Sequence, residues 1–220
     1  MRGRKSKILF LIFLCICCLL PPLLRADTTI LMLGDSLTEG PGLKKSQAYP
    51  FLVEQKLRTQ GFSSIKVINA GVIGSTSASA LSRLKWYLRS NPDILLLALG
   101  ANDGLRGLST VQMKHNLAKT IELAVSKGIQ VVLAGMKMPP NYGAEYTREF
   151  ERVFDQLAKE YKVVFIPFLL EGVAGDPKLH LPDGLHPNER GHQIIAGLVY
   201  KTLVTLDNFS KNKVKGNKPR

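Results

Sequence analysis

The sequence predicts an α/β fold of three layers, α/β/α, built on a five-stranded parallel sheet that is doubly wound in the flavodoxin-like order 2-1-3-4-5. Three observations carry that expectation. Short apolar runs alternate with longer stretches of helical period, which is the pattern of a parallel sheet covered on both faces. Five such runs occur, and right-handed crossovers leave few other strand orders. A chain of 220 residues with neither an internal repeat nor a second linker-bounded region suits one domain.

In chain order, strands are expected at residues 29–33, 66–69, 94–99, 130–134 and 163–166. Pro50 suits the first turn of a helix that runs to Gln60, and Gly61 can take the left-handed conformation just beyond its end. Ser109 and Gln112 have the spacing of a capping box. Met113, Leu117, Ile121 and Ala124 then recur on one face until Gly128. Phe150, Val153, Phe154 and Leu157 make a similar stripe, as do Ile194, Ile195, Leu198 and Val199. Such stripes read as ordinary core.

The two ends stand apart from this pattern. Arg2, Arg4, Lys5 and Lys7 precede an unbroken apolar run from Ile8 to Leu20, closed by Pro21 and Pro22. Residues 1–26 therefore read as a secretory signal peptide with cleavage after Ala26, since the run is shorter than the roughly 20 residues a bilayer span needs. A retained N-terminal anchor is the alternative, because Leu24 stands where a small residue is usual. All three cysteines lie in this run, so residues 27–207 offer no thiol for a disulfide, a zinc site or a nucleophile. Export without disulfides points to a bacterial periplasm.

The formal charge of +13 is terminal. Five basic residues precede Asp27 and five follow Asn208, which leaves +3 for the domain at 27–207. That balance gives no reason to expect a nucleic-acid partner. Residues 208–220 read as a basic, disordered tail whose only expected contact is a weak one with anionic lipid.

In a doubly wound sheet, ligands bind beyond the carboxyl ends of the strands, where the strand order reverses. The segments expected there are Gly34-Asp35-Ser36-Leu37, Gly71-Val72-Ile73-Gly74-Ser75 and Gly100-Ala101-Asn102-Asp103, with Asp183-Gly184-Leu185-His186-Pro187 after the fifth strand. These residue types suit acyl transfer. A serine hydroxyl is a weak nucleophile and needs an imidazole to take its proton, and the imidazole needs a carboxylate to hold its tautomer. Ser36, His186 and Asp183 are the candidates. The charge that develops on the carbonyl oxygen needs fixed donors. The backbone N–H groups of Ser36 and Gly74 and the amide of Asn102 can supply them. Asp35 and Asp103 are assigned support, not chemistry.

Four blocks, LMLGDSLTEG, VINAGVIGSTS, LALGANDGLRG and LPDGLHPN, stand in this order and at these strand ends. Through them the sequence resembles the SGNH (GDSL-type) hydrolases, and within them the bacterial lysophospholipase L1, acyl-CoA thioesterase I and arylesterase group, over residues 28–206. The resemblance implies the SGNH hydrolase fold, a Ser36-Asp183-His186 triad, an oxyanion hole of Ser36, Gly74 and Asn102, and esterase and thioesterase activity without metal or other cofactor. The segment MPPNYGAEYTREF also resembles this subgroup. With it, Pro140 and Tyr142 are expected to shape the acyl groove together with Leu105, Arg106, Gly107 and Leu108. The expected partner is a small acyl ester or thioester, and the expected state is a monomer.

Each residue has a plainer reading taken singly. Asp35 or Ser36 can cap a helix, Asn102-Asp103-Gly104 and Asp183-Gly184 can be turns, and His186 before Pro187 can be an inert extended residue. Their joint order favours catalysis. His180, Asp183, His186 and His192 match no zinc spacing, and His115 and His192 read as surface or satisfied core histidines. An acetyl-sugar esterase of the same class and a catalytically idle envelope lipid-binding protein are the competing functions.

Overall fold

The computed structural model describes residues 28–206 and Phe209. Five parallel strands, β1 (Thr28–Gly34), β2 (Ile65–Gly71), β3 (Ile94–Ala98), β4 (Gln130–Ala134) and β5 (Val164–Ile166), form one sheet in the order β2-β1-β3-β4-β5. This is the expected order, with strand ends shifted by at most two residues. β3 is buried at every position, as a central parallel strand must be when helices cover both of its faces.

The seven α-helices among the described residues are α1 (Ser36–Glu39), α2 (Tyr49–Thr59), α3 (Ala80–Tyr87), α4 (Ala101–Leu105), α5 (Thr110–Ser126), α6 (Ala144–Tyr161) and α7 (Glu189–Leu203). On one side α2 packs with α7, and on the other α5 packs between α3 and α6. Pro50 lies in the first turn of α2, and Gly61 has the expected positive φ of 93° past its end. The start of α5 departs from the expected capping box. Ser109 Oγ accepts the Gln112 N–H at 3.3 Å, but the Gln112 side chain donates to Asn116 instead of reaching back. Ser109 is therefore a one-way N-cap.

Three helices went unassigned in the sequence. α1 and α4 are single turns at the strand ends, and α3 buries only Ala80 and Leu84 while Trp86 stays exposed. The packed core extends to Phe209, whose ring meets Phe62 edge-on at 5.1 Å. The signal-peptide segment 1–26 and the rest of the tail 208–220 lie outside the described residues. Among the described residues, no helix is long and apolar enough to cross a membrane.

The sheet presents its carboxyl end as a shelf for α1. A Cβ on Gly71 would overlap the backbone of Glu39, and one on Gly34 would overlap the Thr38 side chain. Glycine at both strand ends lets α1 lie directly on β1 and β2, and this sets the position of its first residue, Ser36.

Candidate active site

Ser36 opens α1, and the preceding Asp35 caps that helix by accepting the Leu37 N–H at 2.9 Å. The plain capping role and the candidate nucleophile thus belong to neighbouring residues of one turn. The Ser36 hydroxyl lies 3.0 Å from His186 Nε2, although the two residues are 150 positions apart. His186 Nδ1 donates to Asp183 Oδ2 at 2.6 Å, with the proton assigned to the nitrogen that faces the carboxylate.

The Asp183 carboxylate is organised by its own loop. Oδ1 accepts the Leu185 and His186 N–H groups, each at 2.9 Å, and Gly184 supplies the positive φ of the turn. The His186 hydrogen bond first, and these backbone donors next, hold the Asp183 carboxyl well below the usual carboxylate range. Leu181 N–H closes the loop on the His186 carbonyl at 2.7 Å. Asn188 then ties the loop to α7, capping that helix while its amide donates to the carbonyls of Lys178 and His180.

Gly74 and Asn102 reach the same place. Ser75 N–H donates to the Val72 carbonyl at 3.1 Å, closing a turn in which Gly74 has φ of 72°. A positive φ at the third position is what a type II turn requires, and the closing bond uses the Ser75 N–H, not the Gly74 N–H. Asn102 Nδ2 donates to the Ser75 carbonyl at 3.1 Å and lies 3.5 Å from Asp35 Oδ2. Burial pushes the Asp35 carboxyl up to about 6, against the opposing pull of its Leu37 hydrogen bond and of the nearby His186 and Arg83.

Ser36, Gly74, Asn102 and His186 line one cavity of about 430 Å³. Its remaining wall is largely apolar, from Ile73, Leu105, Met136, Met138, Phe168 and Leu170. Of the six groove residues expected from the sequence, Leu105 alone lines this cavity. Arg106 turns away to donate to the Gly74 carbonyl at 2.9 Å, and Tyr142 donates from its hydroxyl to the Leu105 carbonyl at 3.2 Å. Gly107 makes a turn at φ of 61°, Leu108 is an exposed residue whose carbonyl accepts the Tyr146 hydroxyl, and Pro140 is exposed in a 3-10 turn. Most of the wall comes from the segments after β4 and β5, and of the expected segment MPPNYGAEYTREF only its first two residues, Met138 and Pro139, reach it. His180, which the sequence offered only for a metal cluster, also lines the cavity.

A family model described as the GDSL-like lipase/acylhydrolase family matches residues 32–194. The chain belongs to that family. Esterase TesA of Pseudomonas aeruginosa is 37% identical to this GDSL hydrolase over 182 residues, covering 82% of this chain and 90% of that protein. The thioesterase 1/protease 1/lysophospholipase L1 of Escherichia coli K12 is 35% identical over 184 residues, covering 83% and 86%. Among solved structures, the psychrotrophic esterase EstA from Pseudoalteromonas sp., described as inhibited by monoethylphosphonate, superposes with a TM-score of 0.77 at 33% identity, covering 81% of this chain and 98% of that one. The GDSL hydrolase is accordingly a serine hydrolase of the SGNH fold.

Two of the other three histidines have a ring nitrogen committed elsewhere. His180 Nδ1 meets the Asp176 carbonyl at 2.8 Å. His192, 1% exposed on α7, accepts the Tyr49 N–H on Nδ1 at 3.1 Å and is stacked on the Tyr49 ring. His115 is exposed on α5. Among the described residues, no group of three or more His, Cys, Asp or Glu is placed to share a metal ion.

His192 gives the GDSL hydrolase a testable response to acid. Burial, helped by the charge of His186, pushes its pKa down to about 4 from the ordinary 6.5. The neutral ring is the one the fold accepts, so this stability is complete above pH 6.5 and is lost as pH falls through about 4. The shift corresponds to at most about 3 kcal/mol. Urea unfolding from pH 7 to pH 4 is expected to show a falling midpoint, with a shallower fall in His192→Gln, whose amide oxygen can still accept the Tyr49 N–H. Equal slopes in the two proteins would contradict the assignment.

Proposed function

We propose that this GDSL hydrolase cleaves esters and thioesters of single acyl chains through an acyl-enzyme on Ser36. The observation that carries the proposal is the unbroken chain from Asp183 through His186 to Ser36, opening on a largely apolar cavity. Ser36 Oγ attacks the acyl carbonyl while its proton passes to His186 Nε2, and Asp183 stabilises the imidazolium. The carbonyl oxygen takes the negative charge and is met by the Ser36 and Gly74 N–H groups and the Asn102 amide. Collapse expels the alcohol or thiol, which takes the proton from His186. Water then repeats the sequence, with His186 as base, and releases the carboxylic acid and free Ser36.

The substrates proposed are lysophospholipids, aryl and short-to-medium-chain esters, and acyl thioesters. The names of the Pseudomonas and Escherichia relatives support this range. The cavity supports a chain longer than acetyl, since a volume of about 430 Å³ holds a ligand of ordinary small-molecule size and its wall offers an acyl chain apolar contact. Together with the export signal expected at 1–26, this reading assigns the activity to the periplasm.

A series of p-nitrophenyl esters from acetate to laurate tests the substrate class. Each buried methylene contributes about 0.8 kcal/mol, so kcat/KM is expected to rise by about fourfold per carbon until the cavity is filled. Strict preference for acetate, with no turnover of longer chains, would favour the acetyl-sugar esterase.

A further inference from the structure

Asp103 is 3% exposed, and among the described residues no Lys, Arg or His nitrogen lies within 4.0 Å of its carboxylate. A buried carboxylate without a cation is costly unless hydrogen bonds take up its charge. Here one residue does so twice: Ser77 donates its N–H to Oδ2 at 2.8 Å and its hydroxyl to Oδ1 at 2.6 Å. Ser77, itself fully buried, accepts the Asn116 amide on its hydroxyl oxygen at 3.0 Å, and Asn116 Oδ1 accepts the Gln112 amide at 3.0 Å. Every donor in this chain points toward the carboxylate, so α5, the loop after β2 and α4 are joined through one charge.

The two ends of the central link sit beside the proposed donors. Asp103 follows Asn102 on α4, and Ser77 lies three residues after Gly74 on the loop. The other ties between these segments, Asn102 to the Ser75 carbonyl and Arg106 to the Gly74 carbonyl, are neutral-acceptor bonds at partly or fully exposed positions. The Asp103 link is the buried one, and the only one of the three with a carboxylate acceptor that takes two bonds from one residue, which makes it the stiffest. We propose that Asp103 is a positioning residue which, through Ser77 and Asn116, fixes the separation of the Gly74 and Asn102 donors. This rests on the reading of those two groups as the oxyanion hole. Preorganised donors act only where the oxyanion forms, so a change in their spacing lowers the rate of the chemical step and leaves ground-state binding alone.

The test compares Ser77→Ala, Asp103→Asn, Asp103→Ala and Asn116→Ala on a short-chain ester, with Tm measured alongside. The same proteins are titrated with an alkyl trifluoromethyl ketone. Ser36 Oγ adds to its carbonyl, the proton passes to His186, and an oxyanion is left in the hole. Ser77→Ala keeps the backbone tie and is expected to lose about tenfold in kcat and in ketone affinity, with KM within about twofold. Asp103→Ala removes both ties and is expected to lose about 100-fold. Asp103→Asn should recover part of that loss, since its amide oxygen still accepts the Ser77 N–H, and Asn116→Ala should show the smallest loss.

The proposal is overturned if folded Ser77→Ala and Asp103→Asn keep wild-type kcat and ketone affinity, or if they lose only Tm or only KM. Should Asp103→Ala fail to fold, those two variants decide. Full activity in Asn102→Ala would instead remove the oxyanion reading on which the proposal stands. Activity lost in Asn102→Ala but kept in Ser77→Ala and Asp103→Asn would remove the clamp alone.

Discussion

Replacing Ser36 with alanine is expected to lower kcat by about 10⁶-fold while leaving the fold and the affinity for a long-chain product intact. The size of the effect follows from the geometry. Ser36 Oγ is the group 3.0 Å from His186 Nε2, and the described part of the domain contains no cysteine that could replace it. Alanine in α1 keeps the helix, because the cap comes from Asp35 and the seating on the sheet from Gly34, Thr38 and Gly71. Any remaining rate then reports substrate binding and the oxyanion donors acting on water. Turnover of purified Ser36→Ala on an activated ester, with Tm as the control, checks this; a rate within tenfold of wild type would discard the nucleophile.

The second large effect is expected at Asn102. Removing one oxyanion donor costs about 100- to 1,000-fold in kcat with KM little changed, and Asn102→Ala should fall in that range. Asn102→Asp separates donation from packing. The side chain fills the same space, but it presents an oxygen where the amide N–H pointed, and that oxygen would repel the developing charge. Its loss should therefore equal or exceed that of alanine. Steady-state kinetics on one ester measure both variants, and an Asn102→Asp protein faster than the alanine variant would show that Asn102 serves only to pack the loop.

Much of the fold was legible because the strands are short, strongly apolar and spaced by helical stretches. β3, Ile94–Ala98, is buried along its whole length and has no other reading. α3 was not legible, because a helix that buries Ala80 and Leu84 and leaves Trp86 in solvent carries no apolar stripe to detect. The polar centre was legible for a topological reason. Ser36, Gly74 and Asn102 lie within four residues of the ends of β1, β2 and β3, so strand order brings them to one rim, and Asp183 reaches His186 within a single turn.

The cavity wall was hidden for the opposite reason. Met136, Phe168 and Leu170 follow β4 and β5 as ordinary apolar residues, indistinguishable in sequence from core, and Met138 reaches the wall only as the first residue of the segment expected there. Arg106 and Tyr142 looked like groove residues, yet their polar atoms are taken by the carbonyls of Gly74 and Leu105. They hold the loops that frame the cavity. The buried Asp103 was assigned support without a partner, because Ser77 and Asn116 lie 26 residues before it and 13 after it, and only the packing of α5 against the loop unites them.

Peptide mapping after reaction with an alkyl fluorophosphonate identifies the nucleophile directly. Displacement of fluoride by an activated serine leaves a stable phosphonate ester on that oxygen. One adduct per chain is expected, on Ser36, with near-complete loss in His186→Asn, where no base remains to take the proton. Folded protein that carries the phosphonate on another residue would rule out Ser36 as the nucleophile, and folded protein that takes up none would favour an idle binding protein.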